Sequence, residues 1–133
     1  MSNFLTANYH AHTFRCQHAV GNERDYIEAA IKMGIKEFGF SDHIPCPFRD
    51  GYISHIRMTM DEAPEYVKTI RALADEYQND IRIYVGFEAE YIREFYKEQM
   101  NMVQALGVDY LIMGQHFLLS EERGPYMGTP TED

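Results

Sequence analysis

Apolar and polar residues follow two rhythms along this chain, and the two rhythms take turns. A short apolar stretch at 5–9 predicts a first strand that leads directly into His10-Ala11-His12. Asn22 then offers an N-cap, Glu23 and Asp25 suit the positive end of a helix dipole, and Ile27, Ala30 and Ile31 recur at helical spacing as far as Gly34. Residues 35–40 read as a second strand running into Ser41-Asp42-His43 and a proline-containing loop through Cys46-Pro47. A second helix is predicted from near Asp61. Pro64 falls in the first turn that tolerates it, Val67, Ile70, Ala74 and Tyr77 form an apolar face, and Asn79-Asp80 stops the helix. The β-branched run at 81–85 predicts a third strand, followed by Gly86-Phe87-Glu88. Phe95, Gln99, Met100, Val103 and Leu106 predict a third helix ending at Gly107, and 110–113 a fourth strand that delivers Gly114-Gln115-His116.

Strands that alternate with helices of this length form βαβ units, which implies an α/β fold with a parallel sheet and right-handed crossovers. In such folds function gathers at the C-terminal ends of the strands. Of the six histidines, His10, His12, His18, His43 and His116 stand at or just beyond predicted strand ends. Parallel packing would bring them together. His10 and His12, two residues apart on extended backbone, point to the same side and can reach one ion. The pair joined by His18, His43, Glu88 and His116 in successive loops makes a candidate metal-ligand set, since imidazole serves zinc, iron, copper or nickel. Asp42 could support a ligand, contact substrate or cap local backbone, and Glu90, two residues past Glu88, has the same standing. His55 falls in a loop and is expected to be solvated. Tyrosines and methionines at helical spacing are expected to pack in the core.

Composition narrows the chemistry. The chain has 133 residues, 45% hydrophobic and 25% charged, as expected of one globular domain or part of one. A formal charge of -9 argues against a surface built for nucleic acid, which draws its affinity from basic groups, and favours a small substrate. Phosphate chemistry remains open, because bound divalent ions can supply positive charge locally. Cys16 and Cys46 lie in no paired metal spacing and are expected to be reduced, Cys16 as a small buried hydrophobe. No apolar run approaches the roughly 20 residues of a membrane span, and the start has no basic, then apolar, leader. No membrane partner and a cytoplasmic location are expected.

His10-Ala11-His12-Thr13, His18-Ala19 and Ser41-Asp42-His43-Ile44-Pro45 resemble the first motifs of histidinol phosphatases in the polymerase and histidinol phosphatase (PHP) family. Gly86-Phe87-Glu88-Ala89-Glu90-Tyr91 resembles the next motif, and Tyr110 through Phe117 the one after it, with Gln115 where many relatives carry Ser-Val before the histidine. The resemblance implies a distorted (βα)7 TIM-like barrel holding up to three divalent ions of zinc, iron or manganese. By that analogy His10 and His12 hold one ion, Glu88 bridges it to a second held also by His116, and His18 with His43 hold a third. A carboxylate suits the bridging role because its two oxygens can face different cations. Such a site implies hydrolysis of a phosphomonoester by a metal-activated hydroxide, with L-histidinol phosphate, an intermediate of histidine biosynthesis, as the leading substrate. Another phosphoester or a nucleic-acid end is an alternative, as is a noncatalytic module with an incomplete metal site.

About four βα units are present where the resembled barrel has seven strands, so residues 1–133 are expected to form a partial PHP domain, the N-terminal half of the barrel. Thr129-Pro130 reads as a helix start. The expectation is a truncated chain, or one whose partner completes the barrel, that alone binds metal poorly, turns over little substrate, and can self-associate through its open edge.

Overall fold

A computed structural model describes residues 5–117 and 119–123. The predicted helix start at Thr129 lies outside these residues. Strands β1 (Ala7–Asn8), β2 (Glu37–Phe40), β3 (Arg82–Ala89) and β4 (Tyr110–Met113) alternate with helices α1 (Glu23–Lys32), α2 (Ala63–Glu76) and α3 (Tyr96–Leu106). The sheet runs β1-β2-β3-β4 with every neighbouring pair parallel, which gives a half-barrel.

Local sequence explains the helix ends. Asn22 Oδ1 accepts the Asp25 N–H and Asp25 Oδ2 accepts the Asn22 N–H, both at 3.0 Å, closing a capping box on α1. A single 3-10 turn at Met60–Glu62 precedes α2, where the Thr59 N–H donates to Glu62 Oε2 at 2.7 Å and Pro64 sits in the first turn. Gly107 ends α3 in the left-handed region at φ 64°.

Strand alternation divides the residues between two faces. Phe38, Phe40, Ile83, Val85 and Phe87 join Tyr66, Val67, Ile70 and Leu73 of α2 in the main core. In α2, Leu73 is buried while the expected Ala74 and Tyr77 are only half-buried. The opposite parity carries Gly39, His43, Gly86 and Glu88. There, Tyr110 of β4 lays its ring over Gly39 and Gly86. A Cβ at Gly39 would come 2.8 Å from the Tyr110 Cζ, and one at Gly86 2.9 Å from its ring carbons. Tyr110 Oη reaches Tyr9 O at 2.7 Å and Phe40 O at 3.1 Å, so one side chain from β4 braces the ends of β1 and β2.

Two strands differ from the pattern-based expectation. β1 is only two residues long, because Asn8 Oδ1 accepts the His10 N–H at 3.0 Å and turns the backbone out of the ladder. β3 continues past Val85 to Ala89 because its two halves have different neighbours: Arg82 to Val85 pair with β2, and Gly86 to Ala89 pair with β4. Glu88 therefore stands inside a strand and not in a loop beyond it. No helix among the described residues is long and apolar enough to cross a membrane.

Candidate metal centre

Three segments converge on Glu88. Its own strand is fixed against the continuation of β2, where the Glu88 N–H donates to Asp42 O at 3.0 Å and the Ile44 N–H to Glu88 O at 2.9 Å, registering His43 beside Glu88. The segment after β1 is tied to the same place. Ala11 N–H donates to Ser41 Oγ at 3.2 Å, and Ser41 N–H to Ala11 O at 2.9 Å, holding His10 and His12 on either side of a buried alanine. After β4, Gly114 N–H donates to Ala89 O at 2.9 Å and brings His116 alongside.

Glu88 Oε2 lies 2.9 Å from His12 Nε2, 3.3 Å from His10 Nε2 and 3.5 Å from His43 Nδ1, while Oε1 lies 3.0 Å from His116 Nε2. Nε2 of His10 and of His12 are 3.1 Å apart. Among the described residues, ligand atoms fall into three mutually close groups, each within 4.8 Å: His10, His12 and Glu88; His43, Glu88 and His116; and His12, Cys16 and His18. His18 also keeps its ring centroid 5.4 Å from that of His43. A cavity of about 450 Å³ opens over these side chains, with Ile56 and Phe117 on its apolar wall.

The donor set suits a cation. Burial holds the His43 imidazole down to about 3 and lowers His12 as well, so both rings are neutral and offer lone pairs at ordinary pH. Nδ1 of His12 and of His43 is buried with no hydrogen-bond partner among the described residues, and the latter faces Glu88. Burial pushes the Glu88 carboxyl up, but the interactions around it, among them the hydrogen bonds from His116 and His10, outweigh it and hold it below the usual range. A carboxylate ringed by imidazole nitrogens is a donor set that a divalent ion would complete.

Asp42 stands behind this layer. Its Oδ1 accepts the Thr13 N–H and its Oδ2 the Thr13 hydroxyl, both at 2.7 Å, and Oδ1 lies 4.0 Å from His12 Nδ1. Burial pushes its carboxyl up to about 6 against the lowering effect of Thr13. The Tyr66 hydroxyl accepts the Asp42 N–H at 3.3 Å and donates to Gly86 O at 2.8 Å, linking α2 to both inner strands.

Sequence reasoning missed three residues here. Arg57 is buried, donating from Nε to Glu121 Oε1 at 2.6 Å and from Nη1 to Ile44 O at 2.9 Å, with Nη2 3.9 Å from the buried Glu90. Glu121 is the second. Gly114 is the third, since a Cβ there would meet the Glu88 carboxylate. His55 is exposed, as expected, and Cys16 and Cys46 are both buried and free.

Residues 8–133 match the family described as PHP domain. The chain is 32% identical over 109 residues to a Deinococcus radiodurans protein named "Probable histidinol-phosphatase", covering 82% of this chain and 41% of that one. It is 31% identical over 118 residues to the histidinol-phosphatase of Bacillus subtilis, covering 84% of this chain and 44% of that one. Histidinol phosphate phosphatase from Lactococcus lactis subsp. lactis, crystallised with zinc, L-histidinol and phosphate, shares the fold at a TM-score of 0.69 and 23% identity, over 84% of this chain and 40% of that one. The chain therefore spans less than half the length of these relatives.

Proposed function

We propose, from the premise that this chain belongs to the PHP domain family, that it supplies metal ligands to a phosphomonoesterase converting L-histidinol phosphate and water to L-histidinol and phosphate. The observation that carries this reading is the position of Glu88, whose two carboxylate oxygens face four imidazole nitrogens at 2.9 to 3.5 Å. The ligands are His10, His12, His18, His43, Glu88 and His116, serving up to three divalent ions. Zinc, iron and manganese all suit histidine and carboxylate donors, and the Lactococcus lactis relative was crystallised with zinc. Bound ions would lower the pKa of a coordinated water and neutralise phosphate oxygens.

The chain's own residues set the geometry for that chemistry. Glu88 offers one oxygen toward His10 and His12 and the other toward His116, and its strand keeps both orientations fixed. Asp42 and Thr13 hold the His12 segment against β2. The cavity of about 450 Å³ admits a small phosphorylated metabolite, and the charge of -9 disfavours a nucleic-acid strand.

Chelator-treated chain is titrated with zinc and with manganese by calorimetry, then assayed for phosphate release from L-histidinol phosphate, simple sugar phosphates and a 3′-phosphorylated oligonucleotide. Metal binding that Glu88→Gln abolishes, with any turnover strongest on L-histidinol phosphate, is the expected result. Metal binding that Glu88→Gln leaves unchanged overturns the metal centre. Preference for the oligonucleotide overturns the substrate.

A further inference from the structure

One donor beside the Glu88 cluster belongs to none of the proposed ligands. Cys16 ends a 3-10 turn at Phe14–Cys16, is fully buried, and places its sulfur within 4.8 Å of ligand nitrogens of both His12 and His18. Burial accounts for its packing but not for the way the backbone surrounds it. Gln17 adopts the left-handed region at φ 63°, which reverses the chain after Cys16 and brings His18 back beside the sulfur.

The existing hydrogen bonds permit loss of the thiol proton. Cys16 Sγ donates to Thr13 O at 3.0 Å, and the same carbonyl accepts the Cys16 N–H at 3.2 Å, so it keeps a partner when the thiol proton leaves. A cation bound at the sulfur displaces the thiol proton. Nδ1 of His12 is buried with no hydrogen-bond partner among the described residues.

We propose that Cys16 joins His12 and His18 in a sulfur-containing site for a thiophilic divalent cation such as zinc, cobalt or cadmium. This rests on the reading that the histidine cluster binds divalent ions, and adds a ligand and a selectivity to it. Tetrahedral zinc, with bonds of about 2.3 Å to sulfur and 2.0 Å to nitrogen, requires ligand atoms roughly 3.5 Å apart. The exposed His18 can supply the closure from the present spacing. On binding, the S–H bond breaks, a sulfur–metal bond forms, and one proton passes to solvent. Thiolate ligation makes this position favour softer ions over manganese.

Cobalt(II) added to the chelator-treated chain reports the two questions separately. Visible d–d bands register binding at any site, and a near-ultraviolet sulfur-to-cobalt charge-transfer band registers thiolate ligation alone. Cys46, in a separate cluster with Ile92 and Phe95, is the other thiol. The charge-transfer band is expected in the wild-type chain, to persist in Cys46→Ser, where Cys16 is the only thiol, and to vanish in Cys16→Ser. Cadmium affinity is expected to fall about tenfold or more in Cys16→Ser. The Cys46→Ser chain keeps the test decisive even if Cys16→Ser fails to fold. Cobalt bound with d–d bands but no charge-transfer band overturns this proposal and leaves the histidine centre standing. No cobalt binding at all overturns both, and a band lost only in Cys46→Ser overturns the assignment to Cys16.

Discussion

Gly114 and Glu88 compete for the same space: a Cβ on residue 114 would come 2.9 Å from Glu88 Cγ and Cδ and closer still to Oε1. β4 can pass this close to the carboxylate only because residue 114 has no side chain. Gly114→Ala is expected to turn the Glu88 carboxylate away from His116 and weaken zinc binding about 10- to 100-fold, the usual range for residues that orient ligands. Far-ultraviolet circular dichroism should stay unchanged. Calorimetric zinc affinity equal to wild type would refute the placement.

Asp42 and His43 give the metal-free chain opposing responses to pH. The folded Asp42 value, about 6, lies above its ordinary 3.8, so its contribution favours the fold at low pH and is lost as pH rises through 6. The folded His43 value, about 3, lies below 6.5, so its contribution is present above 6.5 and is lost as pH falls below it. Asp42→Asn keeps an acceptor for the Thr13 N–H and removes the first response. In chelator, urea unfolding should show this variant stabilised at pH 7 by on the order of 1–3 kcal/mol. It should also lose stability more steeply than wild type between pH 6.5 and 4.5. Parallel pH profiles would sink the idea.

Under the site, Gly39 and Tyr110 are matched in size. Gly39→Ala should cost about 1–3 kcal/mol through overpacking against the ring, and Tyr110→Phe about 1 kcal/mol through the hydroxyl's lost bonds to Tyr9 O and Phe40 O. Because removing the hydroxyl relieves the worst of the clash, the double variant should be more stable than the sum of the single losses predicts. Strict additivity in a thermal or urea cycle would contradict this packing.

Arg57 is the buried cation facing two buried carboxylates. Arg57→Met should destabilise the chain by about 3–5 kcal/mol at pH 7.5, since Glu121 and Glu90 are left without their counter-charge. Burial already holds the Glu90 carboxyl above its ordinary range. Protonation at pH 5 should therefore relieve part of the loss. A destabilisation that is the same at both pH values would assign the effect to packing alone.

What the sequence disclosed follows from how local each signal is. The order of strands and helices was legible because a period of two and a period of 3.6 are properties of neighbouring residues. His10, His12, His43 and His116 were legible as candidates because they follow predicted strands in chemically unusual company, and Glu88 because its segment follows the β-branched run. The upper half of β3 was hidden because Gly86 interrupts the β-branched run, and only pairing with β4 extends it. Arg57 was hidden because its partner, Glu121, is 64 positions away. Tyr66 reads as a core residue from its spacing, and it is one. Its hydroxyl bridge between Asp42 and Gly86 depends on a fold that spacing alone does not supply.

The single carboxylate at the centre of the histidine ring also fixes an order of arrival. Before any ion binds, the cavity presents one carboxylate within a chain of net charge -9, a field that draws cations in and turns phosphate away. Under the proposed function, a phosphorylated substrate finds an attractive site only after metal has entered. Metal loading is then the event that licenses substrate binding, and scarcity of the ion would silence the site at the entry step, before any bond in the substrate is strained.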